Sequence, residues 1–146
     1  MEKDFEALKL KNQLCFPLYL CAKEVVRRYT PLLDSLNLTY TQYIVMMYFW
    51  EAGKSNVKEI SRALLIDPST LTPLLKKLEA KGYITRARSE QDERNLIVKL
   101  TAEGEALKTK ALSIPEQIGK CIDLTAEEAE TLYNILYKVI NNVEKE

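Results

Sequence analysis

Histidine is absent from the 146 residues of this sequence. Without it the chain can form neither a Ser-His-Asp or Cys-His catalytic arrangement nor a histidine-ligated metal site. Its three cysteines, Cys15, Cys21 and Cys121, form no CxxC pair, so structural zinc is not expected. We therefore expect a protein that is not an enzyme and that uses no metal and no cofactor.

A leader sequence and long apolar runs are missing as well. No stretch is long enough to span a bilayer, and the first residues, MEKDFEALKLKN, are charged. We therefore expect a cytoplasmic protein with reduced thiols and no membrane partner. Only four glycines are present, and good helix formers occur throughout, which predicts a mainly α-helical chain.

The chain also carries no net charge, since 21 basic residues balance 21 acidic ones. The charges are unevenly spread, with nine basic and six acidic residues from Lys54 to Arg94. From Thr101 to the end there are five basic and nine acidic residues. Ordinary scatter explains this asymmetry about as well as function does. The middle segment is nevertheless the part suited to face an anion such as DNA.

The spacing of apolar residues predicts a series of helices. The first runs from about residue 12 to residue 29 and is ended by Pro31, with a short helical turn over 32–36. Cap signatures predict further helix starts at Thr39, Asn56, Asp67, Thr101 and Thr125. Seven consecutive apolar residues, 44–50, predict that the helix after Thr39 is buried and ends at Gly53.

After Gly82 the period changes from helical to alternating, which predicts strands over 83–88 and 96–100 around a polar loop. Two short helices, a tight turn and a hairpin predict a winged helix-turn-helix, whose second helix enters the major groove. We expect one compact domain with an N-terminal helical dimerisation region (1–38), a DNA-binding unit (39–100) and a C-terminal helical dimerisation region (101–146).

The second helix of this unit carries candidate DNA contacts opposite its leucines, although Pro73 predicts a slight irregularity. The helix candidates are Ser69, Thr70, Thr72, Lys76 and Lys77, and the hairpin candidates are Arg86, Arg88, Asp92 and Arg94. An arginine at a hairpin tip can enter a narrow minor groove, and Asp92 is expected to orient one of the arginines. A solvated charged hairpin explains any single charge equally well, so only the combination favours DNA.

Three sequence runs resemble one known family. They are TLTPLLKKLE at 70–79, GYITR at 82–86 and DER at 92–94, which are similar to the recognition helix and wing of MarR-type repressors. The resemblance covers nearly the whole chain. It implies a homodimer formed by the terminal helices, bound to double-stranded DNA with a pseudo-palindromic operator. The apolar stripe of the last helix, from Leu132 to Val143, also favours a dimer.

The run LKNQLCF at 10–16 resembles the organic-hydroperoxide-sensing (OhrR-like) branch of that family. This resemblance implies that organic hydroperoxide is the inducer, that Cys15 is the oxidisable thiol, and that three tyrosines support it: Tyr19, Tyr29 and Tyr40. If Asn12 or Gln13 caps the first helix, Cys15 lies in the first turn, where free N–H groups and the helix dipole favour a thiolate. Without the motif, a cysteine on an apolar stripe is more often a small buried hydrophobe. Cys21 lies six residues further on, on a different helical face, and we expect it to be inert.

The fate of an oxidised Cys15 is left open by the sequence. The late position of Cys121 resembles that of the resolving cysteine in sensors that form a disulfide between subunits. The tyrosines instead resemble the pattern of one-cysteine sensors, which use a small cellular thiol.

Other functions also remain open. The main alternative is a MarR-type repressor that responds to a small phenolic ligand, with Cys15 not a sensor. A cysteine-dependent peroxidase and a winged helix that binds protein are two further alternatives. The peroxidase lacks a histidine or another catalytic base, and it leaves the DNA-binding unit unexplained.

Overall fold

The structure, a computed structural model, describes residues 3–144. Within this range there are seven α-helices and one three-stranded antiparallel sheet. In chain order the elements are α1 (Cys15–Asp34), α2 (Tyr40–Ala52), β1 (Lys54–Asn56), α3 (Val57–Leu64), α4 (Pro68–Ala80), β2 (Ile84–Arg88), β3 (Leu96–Leu100), α5 (Ala102–Ala111), α6 (Ile114–Ile122) and α7 (Ala126–Val143). The predicted class, mainly α with a small β-hairpin wing, is confirmed.

The chain divides into two compact units, the first ending at Ile114 and the second beginning at Pro115. The first unit holds α1 to α5 and the sheet. The indole N–H of Trp50 in α2 donates to the Gly104 carbonyl in α5 at 2.9 Å. Helix α5 is therefore attached to the DNA-binding unit, whereas the sequence grouped it with the C-terminal region.

Helix α1 is longer at its C-terminal end than the sequence predicts. It begins at Cys15 and continues through Pro31 to Asp34, so the predictions that Pro31 ends it and that a separate turn follows are wrong. A proline inside a helix removes one backbone hydrogen bond. Burial of Leu33 and Leu36, only 1% and 2% exposed, stabilises the turns beyond the proline.

Helix α2 starts with the predicted capping box, in which Thr39 and Gln42 satisfy each other's backbone N–H groups. Gly53 ends the helix at a φ of +76°, a conformation that costs glycine little. The prediction that the helix is buried holds for one face, which includes Val45, Met46 and Phe49. Met47 on another face is exposed.

The sheet has the strand order β1-β3-β2, and both pairings are antiparallel. Strands β2 and β3 form the predicted hairpin, with Ile84 opposite Leu100 and Arg88 opposite Leu96. Strand β1 was not predicted, because Lys54, Ser55 and Asn56 are all polar. It forms by pairing with β3, a segment that lies more than forty residues away in the sequence.

Helices α3 and α4 begin at the predicted caps, with Asn56 accepting from the Glu59 N–H at 2.8 Å and Asp67 accepting from the Ser69 N–H at 3.3 Å. Their inner faces close the core of the first unit. Its fully buried side chains include Phe49, Met46, Val45, Ile60, Leu71, Leu75, Leu78, Ile84 and Val98. This core holds α4 in a fixed position with one side facing outward.

The second unit consists of α7 and most of α6. Helix α7 opens with the predicted capping box of Thr125 and Glu128, whereas α6 was not predicted. None of the side chains of α7 is buried in the single chain. Its exposed apolar residues include Leu132, Ile135, Val139, Ile140 and Val143. Among residues 3–144, no helix is both long and apolar enough to cross a membrane.

Candidate DNA interface and thiol site

Helix α4 presents a polar face that no part of the first unit covers. Its leucines, Leu71, Leu74, Leu75 and Leu78, are buried as predicted. On the other side Ser69, Thr70, Lys76 and Lys77 are exposed. Helical geometry places these two groups on opposite sides of the axis. The hydroxyl and ammonium donors therefore face outward together, in the arrangement that phosphate and base-edge contacts require.

Thr72 differs from the other candidates on this helix. Its side chain is half-buried, and its hydroxyl donates to the Pro68 carbonyl at 2.9 Å. The hydroxyl thus satisfies a carbonyl in the first turn of α4, next to the position where Pro73 supplies no N–H. The helix runs without a break from Pro68 to Ala80. Thr72 therefore contributes to the geometry of the helix rather than to its outer surface.

The wing tip is organised by Asp92. Its carboxylate accepts from the Arg94 backbone N–H at 3.1 Å and lies 3.9 Å from the Arg94 Nε. The Arg94 side chain is 96% exposed and projects from the loop. Arg88 donates to the Glu93 carbonyl at 2.9 Å. Asp92 was expected to orient Arg86, Arg88 or Arg94, and the arginine that it contacts is Arg94.

Arg86 has a partner that the sequence analysis missed. Its side chain donates to the Glu79 carboxylate from Nε at 3.2 Å and from Nη2 at 3.1 Å. The backbone N–H of Arg86 donates to the same carboxylate at 3.0 Å. Only 18% of the Arg86 side chain is exposed. Arg86 thus connects β2 to α4 instead of projecting from the hairpin, and no signal in the sequence indicated this pair.

Cys15 is the first residue of α1, and it is exposed. The residue before it, Leu14, makes no side-chain cap, so the expected capping by Asn12 or Gln13 is wrong. Both amides instead donate to carbonyls of the preceding segment, Asn12 to Glu6 at 2.7 Å and Gln13 to Ala7 at 2.6 Å. The expectation that Cys15 lies in the first turn is confirmed, and the N-cap residue makes no side-chain hydrogen bond to that turn.

The predicted tyrosines separate into two places. The rings of Tyr29 and Tyr40 lie 4.7 Å apart between centroids, at the packing of α1 on α2. Tyr43, which the sequence analysis did not single out, is 5.8 Å from Tyr29 and 6.4 Å from Tyr40. We call Tyr29, Tyr40 and Tyr43 the tyrosine cluster. Tyr19 lies outside it and is 64% exposed, one helical turn after Cys15.

Two members of the tyrosine cluster, Tyr29 and Tyr43, have raised pKa values. Burial raises the pKa of Tyr29 above its ordinary value, and Tyr40 and Tyr43 raise it further. Burial likewise raises the pKa of Tyr43, with a smaller contribution from Tyr40. These phenols therefore keep their protons at neutral pH and can act as hydrogen-bond donors.

The other two cysteines are also free thiols. Cys21 lies on α1 and Cys121 on α6, and both are exposed. The expectation that Cys21 is inert stays a prediction. Within residues 3–144, no group of histidine, cysteine or acidic side chains is arranged to hold a metal ion.

An exposed helix-turn-helix face beside an arginine-tipped hairpin defines a winged-helix DNA-binding regulator. Residues 27–111 match the family described as Transcriptional regulator SarA/Rot, and the chain belongs to that family. It is also 43% identical to the Organic hydroperoxide resistance transcriptional regulator of Bacillus subtilis, over 98% of this chain and 97% of the relative.

Solved structures agree with this assignment. Reduced AbfR bound to DNA is 32% identical, with a TM-score of 0.78, over 94% of this chain and 96% of that chain. A mutant MarR from E. coli in complex with operator DNA is 26% identical, with a TM-score of 0.81, over 94% and 99%. The protein is therefore a DNA-binding transcriptional regulator of the MarR/SarA type and not an enzyme, as the sequence predicted.

Proposed function

We propose that this regulator is a repressor that releases its operator when an organic hydroperoxide oxidises Cys15. The observation that carries the proposal is the position of Cys15, exposed as the first residue of α1 with no side-chain cap competing for the N–H groups of that turn. An exposed free thiol is accessible to a peroxide in solution. The Bacillus subtilis relative, named for organic hydroperoxide resistance, supports the same chemistry.

The sensing step is a two-electron oxidation of sulfur. The Cys15 thiolate attacks the terminal oxygen of the hydroperoxide, an S–O bond forms, and the O–O bond breaks. The organic fragment leaves as an alkoxide that takes a proton to become an alcohol. Cys15 becomes a sulfenic acid, so sulfur is oxidised while the peroxide is reduced. Tyr19 follows Cys15 by four residues on α1, so the two side chains lie on the same face of the helix.

The tyrosine cluster is out of reach of Cys15 in the same chain. Tyr29 follows Cys15 by fourteen residues on one continuous helix, a separation of about 21 Å along the axis. A thiol that meets the cluster therefore belongs to a second copy of the chain. We propose a two-fold dimer in which Cys15 of one subunit approaches Tyr29 and Tyr40 of the other.

The exposed apolar stripe of α7 supports the same dimer. Leu132, Ile135 and Val143 are 42%, 53% and 71% exposed in the single chain. Apolar patches of this kind on a regulator mark an interface with another protein surface. A two-fold arrangement places two α4 helices on half-sites about 34 Å apart on a pseudo-palindromic operator. Sedimentation at micromolar concentration as a monomer would argue against it.

We propose that DNA contacts come from the exposed face of α4 and from the wing. The proposed residues are Ser69, Thr70, Lys76, Lys77, Arg88 and Arg94. Lysines and hydroxyls supply phosphate contacts, and Arg94 is placed at the tip to enter the minor groove. Arg86, Thr72 and Asp92 act by holding these residues in position through the contacts described above.

A sulfenic acid must next react with a thiol to form a disulfide and release water. Cys121 of the partner and a small cellular thiol are both candidates, because Cys121 is exposed and free. Non-reducing electrophoresis separates the two. A covalent dimer that disappears in Cys121→Ser identifies Cys121, whereas a monomer that carries a small-thiol adduct on Cys15 identifies the small thiol.

The experiment for the proposed function traps the oxidised residue. The protein is treated with cumene hydroperoxide in the presence of dimedone, which adds to sulfenic acids, and is mapped by peptide mass spectrometry. We expect the adduct on Cys15 in the wild-type protein and in Cys21→Ser, its matched control on the same helix. Adduct on Cys21 alone, or release of DNA by a phenolic ligand with no adduct at Cys15, would contradict the proposal.

A further inference from the structure

The end of the recognition helix is anchored to the corner between α1 and α2 by one ammonium group. Lys81 follows α4 directly, and its Nζ donates to the Asn37 carbonyl at 2.6 Å and to the Gln42 Oε1 at 2.8 Å. Gln42 is only 4% exposed and already serves the capping box of α2. These bonds link the end of α4 to the corner between α1 and α2, about forty residues earlier in the sequence.

Tyr83 makes a further hydrogen bond to the same corner. The hydroxyl of Tyr83 donates to the Leu36 carbonyl at 3.0 Å. Leu36 and Asn37 form the turn that follows α1, and Asn37 takes a φ of +55° there. Lys81 and Tyr83, in the segment that joins α4 to β2, thus both donate hydrogen bonds to this turn. We call these four hydrogen-bonded residues together with Gln42 the corner junction.

The first turn of α2 belongs both to the corner junction and to the tyrosine cluster. Tyr40 and Tyr43 contribute their rings to the cluster, and Gln42 between them accepts from Lys81. Helix α1 contributes Tyr29 to the cluster and the Leu36–Asn37 turn to the junction. A displacement of the tyrosine rings therefore moves the backbone to which the end of α4 is bound.

The ammonium of Lys81 makes this connection sensitive to displacement. Burial, and to a lesser extent Lys77, lowers the pKa of Lys81 below its ordinary value. A partly desolvated cation depends on its acceptors, and bonds to a charged donor are stronger than neutral ones. Breaking the hydrogen bonds from Lys81 to Asn37 and Gln42 therefore costs free energy. When the turn between α1 and α2 moves, the end of α4 moves with it.

We infer that Lys81 and Tyr83 are positioning residues that transmit the state of the tyrosine cluster to the recognition helix. The inference rests on the proposed peroxide response and adds the route by which it reaches DNA. Helix α4 is also held by its leucine face and by the Glu79–Arg86 pair. Loss of the corner junction therefore leaves α4 in its DNA-binding position and removes only its response to oxidation.

The test compares four variants with the wild-type protein. Lys81→Met removes the ammonium and keeps the aliphatic stem, Lys81→Arg keeps charge and donors, and Tyr83→Phe removes only the hydroxyl. Lys110→Met, which changes an exposed lysine of α5, is the control for loss of charge. For each protein, operator affinity is measured before and after cumene hydroperoxide treatment, and Cys15 oxidation is followed by mass spectrometry.

We expect Lys81→Met to oxidise at the wild-type rate and to bind the operator normally when reduced. After oxidation it should retain at least about ten times more operator affinity than the oxidised wild-type protein. Tyr83→Phe should show a smaller effect in the same direction, and Lys81→Arg and Lys110→Met should behave like wild type. A merely structural role would lower the stability and the operator affinity of the reduced protein. It would leave unchanged the ratio of operator affinity before oxidation to operator affinity after oxidation.

If Lys81→Met and Tyr83→Phe both lose as much operator affinity on oxidation as the wild-type protein does, the inference is overturned. The proposed peroxide response would stand. If Lys81→Met fails to fold, Tyr83→Phe decides, because its ring remains in place. Failure of the wild-type protein itself to lose affinity after Cys15 is oxidised would overturn the proposed function and the inference together.

Discussion

The carboxylate of Glu79 on α4 accepts three hydrogen bonds from Arg86 on β2, at 3.0, 3.1 and 3.2 Å. The pair fixes the wing against the recognition helix. Two DNA-reading elements that enter different grooves must keep a constant relative geometry to fit one half-site. We therefore expect Glu79 to affect DNA binding without contacting the DNA.

Glu79→Ala should lower the free energy of unfolding by about 1–2 kcal/mol, because it leaves the half-buried Arg86 guanidinium without its acceptor. Operator affinity should fall with it, since the wing loses its fixed position. Urea denaturation and a DNA titration measure the two effects. Glu105→Ala breaks an exposed pair with Lys108 at 3.9 Å and is the control, for which a few tenths of a kcal/mol are expected. Equal effects of the two substitutions would contradict the assigned role.

Arg94→Ala should weaken operator binding by about 1–3 kcal/mol, the range for loss of an arginine base contact, and leave the thermal midpoint unchanged. The reason is that its side chain is almost fully exposed, with its Nε 3.9 Å from the Asp92 carboxylate in the loop. Fluorescence anisotropy with an operator duplex measures the affinity. Glu90→Ala on the same loop should bind at least as well as wild type. If Arg94→Ala binds the operator as tightly as the wild-type protein, the wing tip does not contact the DNA.

Gly104→Ala should destabilise the first unit by about 1–3 kcal/mol, the usual cost of overpacking. A Cβ at this position overlaps the Tyr83 carbonyl oxygen and lies 2.8 Å from a methyl group of Leu100. Gly119→Ala is the matched helical control, because its Cβ meets nothing within 4 Å. The control should be neutral or stabilising in urea denaturation. Similar stability of the two variants would show that α5 does not approach Tyr83 and Leu100 this closely.

Stability at alkaline pH should depend on Tyr29. Its raised pKa means that the neutral phenol is favoured in the folded state. That stabilisation is complete below the ordinary tyrosine pKa of about 10 and is lost as the pH rises through the higher pKa of the folded state. The free energy of unfolding should therefore fall less steeply above pH 10 in Tyr29→Phe than in wild type. If the free energy of unfolding falls equally steeply with pH in the two proteins, the Tyr29 phenol is solvated in the folded state.

The local signals in the sequence predicted the helices well because each signal and its structural consequence lie within one turn. The Thr39–Gln42 and Thr125–Glu128 boxes begin helices as expected. The leucine spacing of α4 identified the face that is buried. Helix α6 was missed because Pro115 and Gly119 interrupt its pattern, although a proline in the first turn costs a helix little.

Local sequence patterns could not predict features that form through contacts between residues far apart in the sequence. Strand β1 has no alternation and exists because β3 offers it a pairing edge. Tyr43 appeared to be one more apolar residue of a buried helix until the packing of α1 on α2 placed it beside Tyr29. Arg86 appeared to face DNA because its sequence position gives no indication that Glu79 lies within hydrogen-bond distance.

The central claim is that oxidation of Cys15, and of no other residue, releases the operator. The direct test is an anisotropy titration of a labelled duplex from the gene's own upstream region, with protein that is reduced or treated with one equivalent of cumene hydroperoxide. The account predicts at least about a tenfold loss of affinity on oxidation for wild type and Cys21→Ser, a change of about 1.4 kcal/mol, and none for Cys15→Ser. Peroxide-dependent release of DNA by Cys15→Ser, or undiminished binding by fully oxidised wild type, would contradict it.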